Sequence, residues 1–160
     1  MVLLRFSRGS GLAGWIVRTA TWSSFSHVGF KLEDGFVLDA TPEHGVAIRM
    51  AEDDETTQYF QILAPTKYIN DAISYARLQL GKPYDWTAIY GMAIRRDWWD
   101  DRSYFCSELC EAAFSHAHYP LVRDSKKFDR ITPRDLLLST RIKQIIPPDD
   151  DIVSEDPDIT

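Results

Sequence analysis

Two runs of β-prone residues that are separated by only three residues constrain the fold of this chain more than any other feature. Residues 26–32 are Ser-His-Val-Gly-Phe-Lys-Leu and residues 36–40 are Phe-Val-Leu-Asp-Ala, with Glu33-Asp34-Gly35 between them. Parallel strands need a crossover of about a dozen residues or more, whereas a short loop containing glycine joins the two strands of a hairpin. The sequence therefore predicts an antiparallel sheet that includes this hairpin.

The rest of the chain supplies further strands and helices in an order that does not alternate. Strand character recurs at residues 2–6, 45–50, 59–63 and 142–146. Apolar residues at helical spacing predict helices at residues 12–21, 69–81, 105–117 and 131–138, and residues 86–94 form either a helix or a packed loop. Because the elements do not follow a βαβ pattern, we predict an α+β fold with the antiparallel sheet packed against helices.

The negative charge of the chain is concentrated at its C-terminal end. The 160 residues include 24 acidic and 18 basic side chains, but residues 147–160 hold six acidic side chains and no basic one. Residues 1–146 are therefore formally neutral. We predict a single domain over residues 1–146, followed by an acidic, flexible tail over residues 147–160 that serves solubility or a partner contact.

The composition excludes several classes of protein. With 44% hydrophobic and 12% aromatic residues, the chain can bury a core, and its neutral body lacks the basic footprint of a nucleic-acid-binding protein. Two cysteines cannot form a disulfide framework, and no apolar run reaches the ~18 residues of a membrane span, so we expect no stable membrane insertion. The N-terminus lacks a secretory signal pattern, which predicts a cytoplasmic protein and leaves signal-independent export open. The oligomeric state is not predicted.

Cys106, in the segment Tyr104-Phe-Cys-Ser-Glu-Leu, is the strongest candidate for chemistry. Glu108 is suited to the first turn of a helix, so Cys106 is expected at a helix N-terminus. Free backbone N–H groups at that position favour the thiolate, which is the nucleophilic form, and can also bind an oxyanion. From position alone, however, a small buried core residue is the stronger interpretation of Cys106.

Cys110 lies one helical turn beyond Cys106 and is interpreted as a core residue. A zinc site made of Cys106, Cys110, His116 and His118 does not match the common ligand spacings, and both cysteines lie within the predicted helix. We therefore expect no metal site.

His27 and Asp39 lie on the two arms of the predicted hairpin. If Glu33–Gly35 form a three-residue loop, residue 32 pairs with residue 36, and Asp39 lies diagonal to His27 on the same face of the sheet. An acidic side chain among apolar neighbours needs a partner, and His27 would supply one. A two-residue loop would place the two side chains on opposite faces, so both alternatives remain open at this point.

Four motifs, taken in their order, resemble a known family. They are Ser26-His-Val-Gly-Phe, Val37-Leu-Asp-Ala-Thr-Pro, Gly81-Lys-Pro-Tyr-Asp-Trp and Tyr104-Phe-Cys-Ser-Glu-Leu. Between about Leu3 and Leu138, the chain resembles the permuted papain-like amidases, the YiiX/YaeF-like relatives of NlpC-type cell-wall peptidases, which are distantly similar to lecithin retinol acyltransferase. The resemblance implies a circularly permuted NlpC-type papain-like fold. It also implies that Cys106, His27 and Asp39 are catalytic and that Tyr84 lies near the substrate.

The same resemblance implies the reaction. We expect a cysteine amidase or peptidase that cleaves a small peptide-like substrate, such as a peptidoglycan fragment, through an acyl-enzyme and without a cofactor. One alternative is a thiol acyltransferase or lipase that acts on lipid esters, with residues 12–21, including Trp15, at a membrane surface. Another alternative is a non-catalytic binding module that has kept the fold.

Overall fold

The structure is a computed structural model that describes residues 1–8, 12–86, 103–122 and 131–146. The acidic tail predicted at residues 147–160 and the segment 87–94, predicted as a helix or packed loop, lie outside the described residues, so both remain predictions. The described residues form an α+β structure, as the sequence predicts.

Six strands form one antiparallel sheet with the order β4-β3-β2-β1-β5-β6. The strands are β1 Leu3–Ser7, β2 His27–Lys31, β3 Phe36–Thr41, β4 Gly45–Met50, β5 Gln58–Ile62 and β6 Ile142–Ile145. Each of them overlaps a strand predicted from the sequence. Strand β2 lies between β1 and β3, and β3 lies between β2 and β4. Neither strand of the hairpin that carries His27 and Asp39 is therefore at an edge of the sheet.

Four α-helices accompany the sheet in the described part of the chain. They are α1 Leu12–Thr21, α2 Thr66–Leu78, α3 Cys106–His116 and α4 Pro133–Leu137. Helix α2 begins three residues before the predicted start, because it is entered directly from Pro65 and its polar first turn carries no apolar periodicity. None of the helices in these residues has the length and apolar character needed to cross a membrane.

The β2–β3 hairpin has the register that a three-residue loop requires. Phe30 pairs with Leu38 and Lys31 pairs with Val37, and the backbone N–H of Leu32 donates to the carbonyl oxygen of Phe36 at 2.8 Å. Glu33–Gly35 form a single 3-10 turn between the strands. The three-residue loop is therefore confirmed, and the alternative of a two-residue loop is wrong.

The two faces of the sheet carry different side chains. One face bears buried apolar residues, such as Phe6, Phe30 and Leu38, that form the core together with residues of α2 and α3. Because side chains alternate along a strand, their sequence neighbours lie on the opposite face. We call this second surface the polar face, and its polar residues on β1 to β4 are Arg5, Ser7, His27, Lys31, Asp39, Thr41 and Arg49.

Candidate functional site

His27 and Asp39 are in direct contact on the polar face. Nε2 of His27 lies 2.7 Å from Oδ2 of Asp39. The Asp39 side chain is fully buried, whereas the His27 side chain is 14% exposed. A buried carboxylate is costly without a partner. The predicted contact with His27, which supplies such a partner, is confirmed.

Arg49 is the second partner of Asp39, and it was not predicted from the sequence. Its Nη2 donates to Oδ2 of Asp39 at 2.7 Å, and its Nε donates to Oδ1 at 3.2 Å. The hairpin of β3 and β4 pairs Val37 with Arg49, so Arg49 lies diagonal to Asp39 on the polar face. The diagonal argument used for His27 identifies it only once the register of this second hairpin is known.

Small residues lie directly beside Asp39. Ala47 is its pairing partner on β4. On β2, a Cβ added to Gly29 would lie 2.7 Å from Cβ of Asp39 and 2.9 Å from Cγ2 of Val37, which is closer than real side chains approach. The small residues leave the space in which the Asp39 carboxylate reaches its two diagonal partners.

Cys106 is the first residue of α3 and is fully buried. Its Sγ lies 3.9 Å from the carbonyl oxygen of Ser26, the residue that precedes His27. The Cys106 side chain also interacts with the His27 side chain, since it is among the groups that raise the pKa of His27. The structure therefore brings together three of the residues singled out in the sequence, which come from β2, β3 and α3.

The surroundings of His27 and Asp39 favour the charged form of both. Burial lowers the pKa of His27, but the hydrogen bond with Asp39 and the interactions with Cys106 raise it from 6.5 to about 9. Burial raises the pKa of Asp39, but His27 and Arg49 together hold it below its usual value of 3.8. At neutral pH the pair is therefore an imidazolium and a carboxylate.

Tyr84 lies close to Cys106 and is almost completely buried. It forms a single β-bridge with Tyr104, two residues before Cys106. Burial, followed by electrostatic interactions with Cys106 and Glu108, raises the pKa of Tyr84 well above its usual value. Tyr84 is therefore a neutral phenol that can donate a hydrogen bond beside the sulfur.

The turn that carries Tyr84 is held against the start of β4. The N–H of Val46 donates to the carbonyl oxygen of Lys82, and the N–H of Gly81 donates to that of Val46, both at 2.9 Å. Gly45 has a φ of +64°, and a Cβ there would overlap the Lys82 carbonyl oxygen. Glycine at position 45 is thus required by this close approach.

Glu108 caps the helix that begins at Cys106. Its Oε2 accepts a hydrogen bond from the backbone N–H of Phe105 at 3.1 Å. Burial raises the pKa of Glu108 to about 7, which the Phe105 hydrogen bond opposes and the charge of Asp85 reinforces. The carboxyl group fixes the first turn of α3 and therefore the position of Cys106.

A cavity of about 760 Å³ opens beside His27 on the polar face. Ser26, His27 and Tyr84, the three residues that surround Cys106, all line it. Its charged lining residues are Arg5, Arg8, Glu43, Arg49, Glu52, Asp53 and Asp54. Since Cys106 itself is fully buried, a ligand in the cavity reaches Sγ only when one of the surrounding side chains moves.

The other cysteine and the C-terminal histidines of α3 do not join this site. Cys110 is fully buried in the core, as predicted. His116 stacks on Tyr75, with 4.4 Å between the ring centroids. Across the described ranges, no group of three or more His, Cys, Asp or Glu side chains is arranged to hold a metal ion.

Comparisons with known proteins identify the fold. Neither protein-family profiles nor curated protein sequences match the chain. Among solved structures, the chain shares an α+β fold with the protein described as "metalloprotein yiiX from Escherichia coli O157:H7, DUF1105". The TM-score is 0.71 and the match covers 91% of this chain and 96% of that one, at 14% sequence identity. The chain therefore has the fold of YiiX.

Proposed function

We propose that this protein is a cysteine hydrolase that cleaves an amide bond in a small, polar, peptide-like substrate. The observation that carries the proposal is the meeting of Cys106, His27 and Asp39, which come from three different elements. The resemblance of four motifs to permuted papain-like amidases selects the same three residues. It also supports a circularly permuted NlpC-type fold, because the histidine hairpin precedes the cysteine helix.

Each residue has a defined part in the proposed reaction. Since Nε2 of His27 is bonded to Asp39, Nδ1 is the nitrogen that exchanges a proton with Cys106, and the reacting pair is a thiolate and the imidazolium. The thiolate attacks the carbonyl carbon, and the oxyanion that forms accepts hydrogen bonds from the free first-turn N–H groups of α3. The C–N bond then breaks as His27 protonates the leaving amine. Water attacks the resulting thioester while His27 takes its proton, which releases the acid and restores the thiolate.

The lining of the cavity supports a polar substrate. Side chains of both charges line it, and Val17, Pro42 and Trp86 are its main apolar contributions. A lipid tail in such a cavity would have to desolvate charged groups without pairing them, which is costly. A peptide, by contrast, offers amides and charged groups that can pair with this lining.

A metal step is not part of the proposal, because the donor set does not suit one. The YiiX protein of similar fold is described as a metalloprotein. In this chain both oxygens of Asp39 face the Arg49 guanidinium, whose positive charge opposes a second cation. His27 is already bonded to Asp39. Cys106 therefore lacks the further ligands that a metal ion needs.

Exposed tryptophans favour lipid esters as the second candidate substrate. Trp15 on α1 is 57% exposed and Trp22, directly after α1, is 84% exposed. Gly14 and Val17 of the same helix line the cavity. An exposed aromatic helix at the mouth of a site suits an interface with lipid, so the test must include lipid substrates.

The test is hydrolysis of a substrate panel by wild-type protein, Cys106→Ala and Cys110→Ala. The panel holds charged and neutral dipeptide amides, muropeptide fragments, and phospholipid vesicles. We expect turnover of one or more amides, its loss in Cys106→Ala, and its retention in Cys110→Ala, the matched substitution one helical turn away.

Three results would contradict the proposal. Full activity of Cys106→Ala would show that Cys106 is not the nucleophile. Turnover of phospholipids with none of the amides would replace the amidase with the lipid-ester alternative, whereas no turnover of any member would favour a non-catalytic binding module.

A further inference from the structure

We propose that Arg49 is a positioning residue of the site, the permanent counter-ion that keeps Asp39 ionised while His27 passes between its charged and neutral forms. This inference rests on the proposed function, in which His27 gains and loses a proton in each cycle. Arg49 was not among the residues predicted from the sequence, and the resemblance to known amidases did not include it.

The geometry around Asp39 is that of one carboxylate shared by two cations. Oδ2 is 2.7 Å from Nε2 of His27 and 2.7 Å from Nη2 of Arg49, while Oδ1 accepts from Nε of Arg49 at 3.2 Å. Two guanidinium nitrogens therefore hold the carboxylate through both oxygens, which is the strongest arrangement an arginine can offer. This fixes the plane of the carboxylate toward His27.

The burial of Asp39 explains why a second cation is needed. Its side chain is fully buried, so an unpaired charge there would be costly. When His27 gives its proton away, it no longer supplies a positive charge to Asp39. An arginine side chain is a permanent cation in proteins, so it stabilises the carboxylate in both halves of the cycle.

The position of Arg49 suits its role as the counter-ion of Asp39. It lies on β4, diagonal to Asp39, and its side chain is 32% exposed at the cavity wall. Its own charge therefore remains partly hydrated while its nitrogens face the buried oxygens. Among the described residues, the other charged and titratable groups around His27 are Cys106 on α3, Arg5 on β1 and Arg18 on α1. Those along the cavity are Arg8, Glu43, His44, Glu52, Asp53, Asp54 and Tyr84.

The direct test is the titration of His27 followed by NMR in protein with labelled histidine. The experiment uses Cys106→Ala as background, so that the thiol does not titrate with the ring. Without Arg49, deprotonation of His27 would leave Asp39 with no cation, so the imidazolium is favoured. We expect Arg49→Gln to move the His27 midpoint upward by about one pH unit, and Arg49→Lys to leave it near the background value.

Two controls separate the role of Arg49 as a counter-ion from a general structural role. Arg77→Gln, on the exposed surface of α2, should leave the midpoint unchanged. In an Asp39→Asn background, Arg49→Gln should have no further effect, because the coupling passes through the carboxylate. A shift that persists in that background would show direct repulsion between Arg49 and His27 and would overturn the inference, as would an unchanged midpoint in Arg49→Gln.

Activity then distinguishes this inference from the proposed function. With the amide that turns over best, we expect Arg49→Gln to lower kcat about tenfold and Arg49→Lys to recover most of it. If Cys106→Ala abolishes turnover but Arg49→Gln leaves the His27 midpoint and kcat unchanged, only the inference fails. If the midpoint moves but no substrate of the panel is hydrolysed, the counter-ion stands and the proposed function fails.

Discussion

The ionisation of His27 sets the upper pH limit of the proposed chemistry. With its pKa raised to about 9, the ring is an imidazolium below that value and loses the proton above it. We therefore expect kcat/KM to fall as the pH rises through about 9, because the leaving amine is no longer protonated. The measurement is a pH–rate profile of the wild-type protein and Asp39→Asn.

Asp39→Asn supplies the control for that profile. It removes the carboxylate that raises the pKa of His27 and leaves the opposing effect of burial in place. The alkaline limb should therefore move to lower pH in this variant. An alkaline limb at the same pH in both proteins would show that His27 does not set it.

Glu108 makes a separate prediction at the residue scale, concerning stability. Its pKa rises from 4.5 to about 7 on folding, so the folded state holds the proton more tightly than the unfolded chain. Its contribution is fully present below pH 4.5 and is lost as the pH rises to 7, a loss of roughly 3 kcal/mol. Glu108→Gln keeps an oxygen acceptor for the Phe105 N–H and removes the buried charge.

We expect Glu108→Gln to exceed the wild type in free energy of unfolding at pH 8, and to lose that advantage at pH 4.5. Urea unfolding at the two pH values measures the difference, with the exposed Glu55→Gln as control. A variant that is less stable than the wild type at pH 8 would contradict this account of the Glu108 environment.

At the scale of elements, the site depends on how closely β2 and β3 approach each other. A Cβ on Gly29 would lie 2.7 Å from Cβ of Asp39, and neither strand can shift without disturbing the core. We expect Gly29→Ala to lower the free energy of unfolding by about 1–3 kcal/mol, as overpacking does. A displacement of about 1 Å at His27 would lower kcat by about 100-fold.

The control for Gly29→Ala lies in the same hairpin. Gly35 has a φ of +80° and no atom within 4 Å of an added Cβ, and asparagine tolerates this conformation, so Gly35→Asn should keep activity. Circular dichroism and thermal unfolding establish that both variants fold. Wild-type activity in Gly29→Ala would mean that the spacing beside Asp39 does not position the carboxylate.

The elements also show which parts of the site were accessible from the sequence. The contact of His27 with Asp39 was one of two alternatives that the sequence left open, and the register of the β2–β3 hairpin decides between them. The start of α3 at Cys106 followed from local helix signals. The contact of Cys106 with Ser26, 80 residues earlier, depends on how α3 packs against β2 and has no local signal. Only the family resemblance predicted that Cys106 and His27 belong to one site. Arg49 lies diagonal to Asp39 only in the register of the β3–β4 hairpin, which the sequence did not define.

At the scale of the whole molecule, the charge is divided between a neutral body and an acidic end. Residues 147–160 hold six of the 24 acidic side chains and lie outside the described residues. The proposed site uses residues of the body only. Deletion of residues 149–160 is therefore expected to leave kcat/KM unchanged in the same amide assay, and a large loss would show that this segment contributes to the site.

The central claim is that Cys106, assisted by His27, forms a covalent acyl-enzyme. The most direct measurement is intact-protein and tandem mass spectrometry after a brief reaction with p-nitrophenyl acetate. The account predicts a single acetyl adduct on Cys106 in the wild type and in Cys110→Ala, none in Cys106→Ala, and a strongly slowed adduct in His27→Gln. An adduct on Cys110 alone, or one that forms equally fast on Cys106 in His27→Gln, would contradict it.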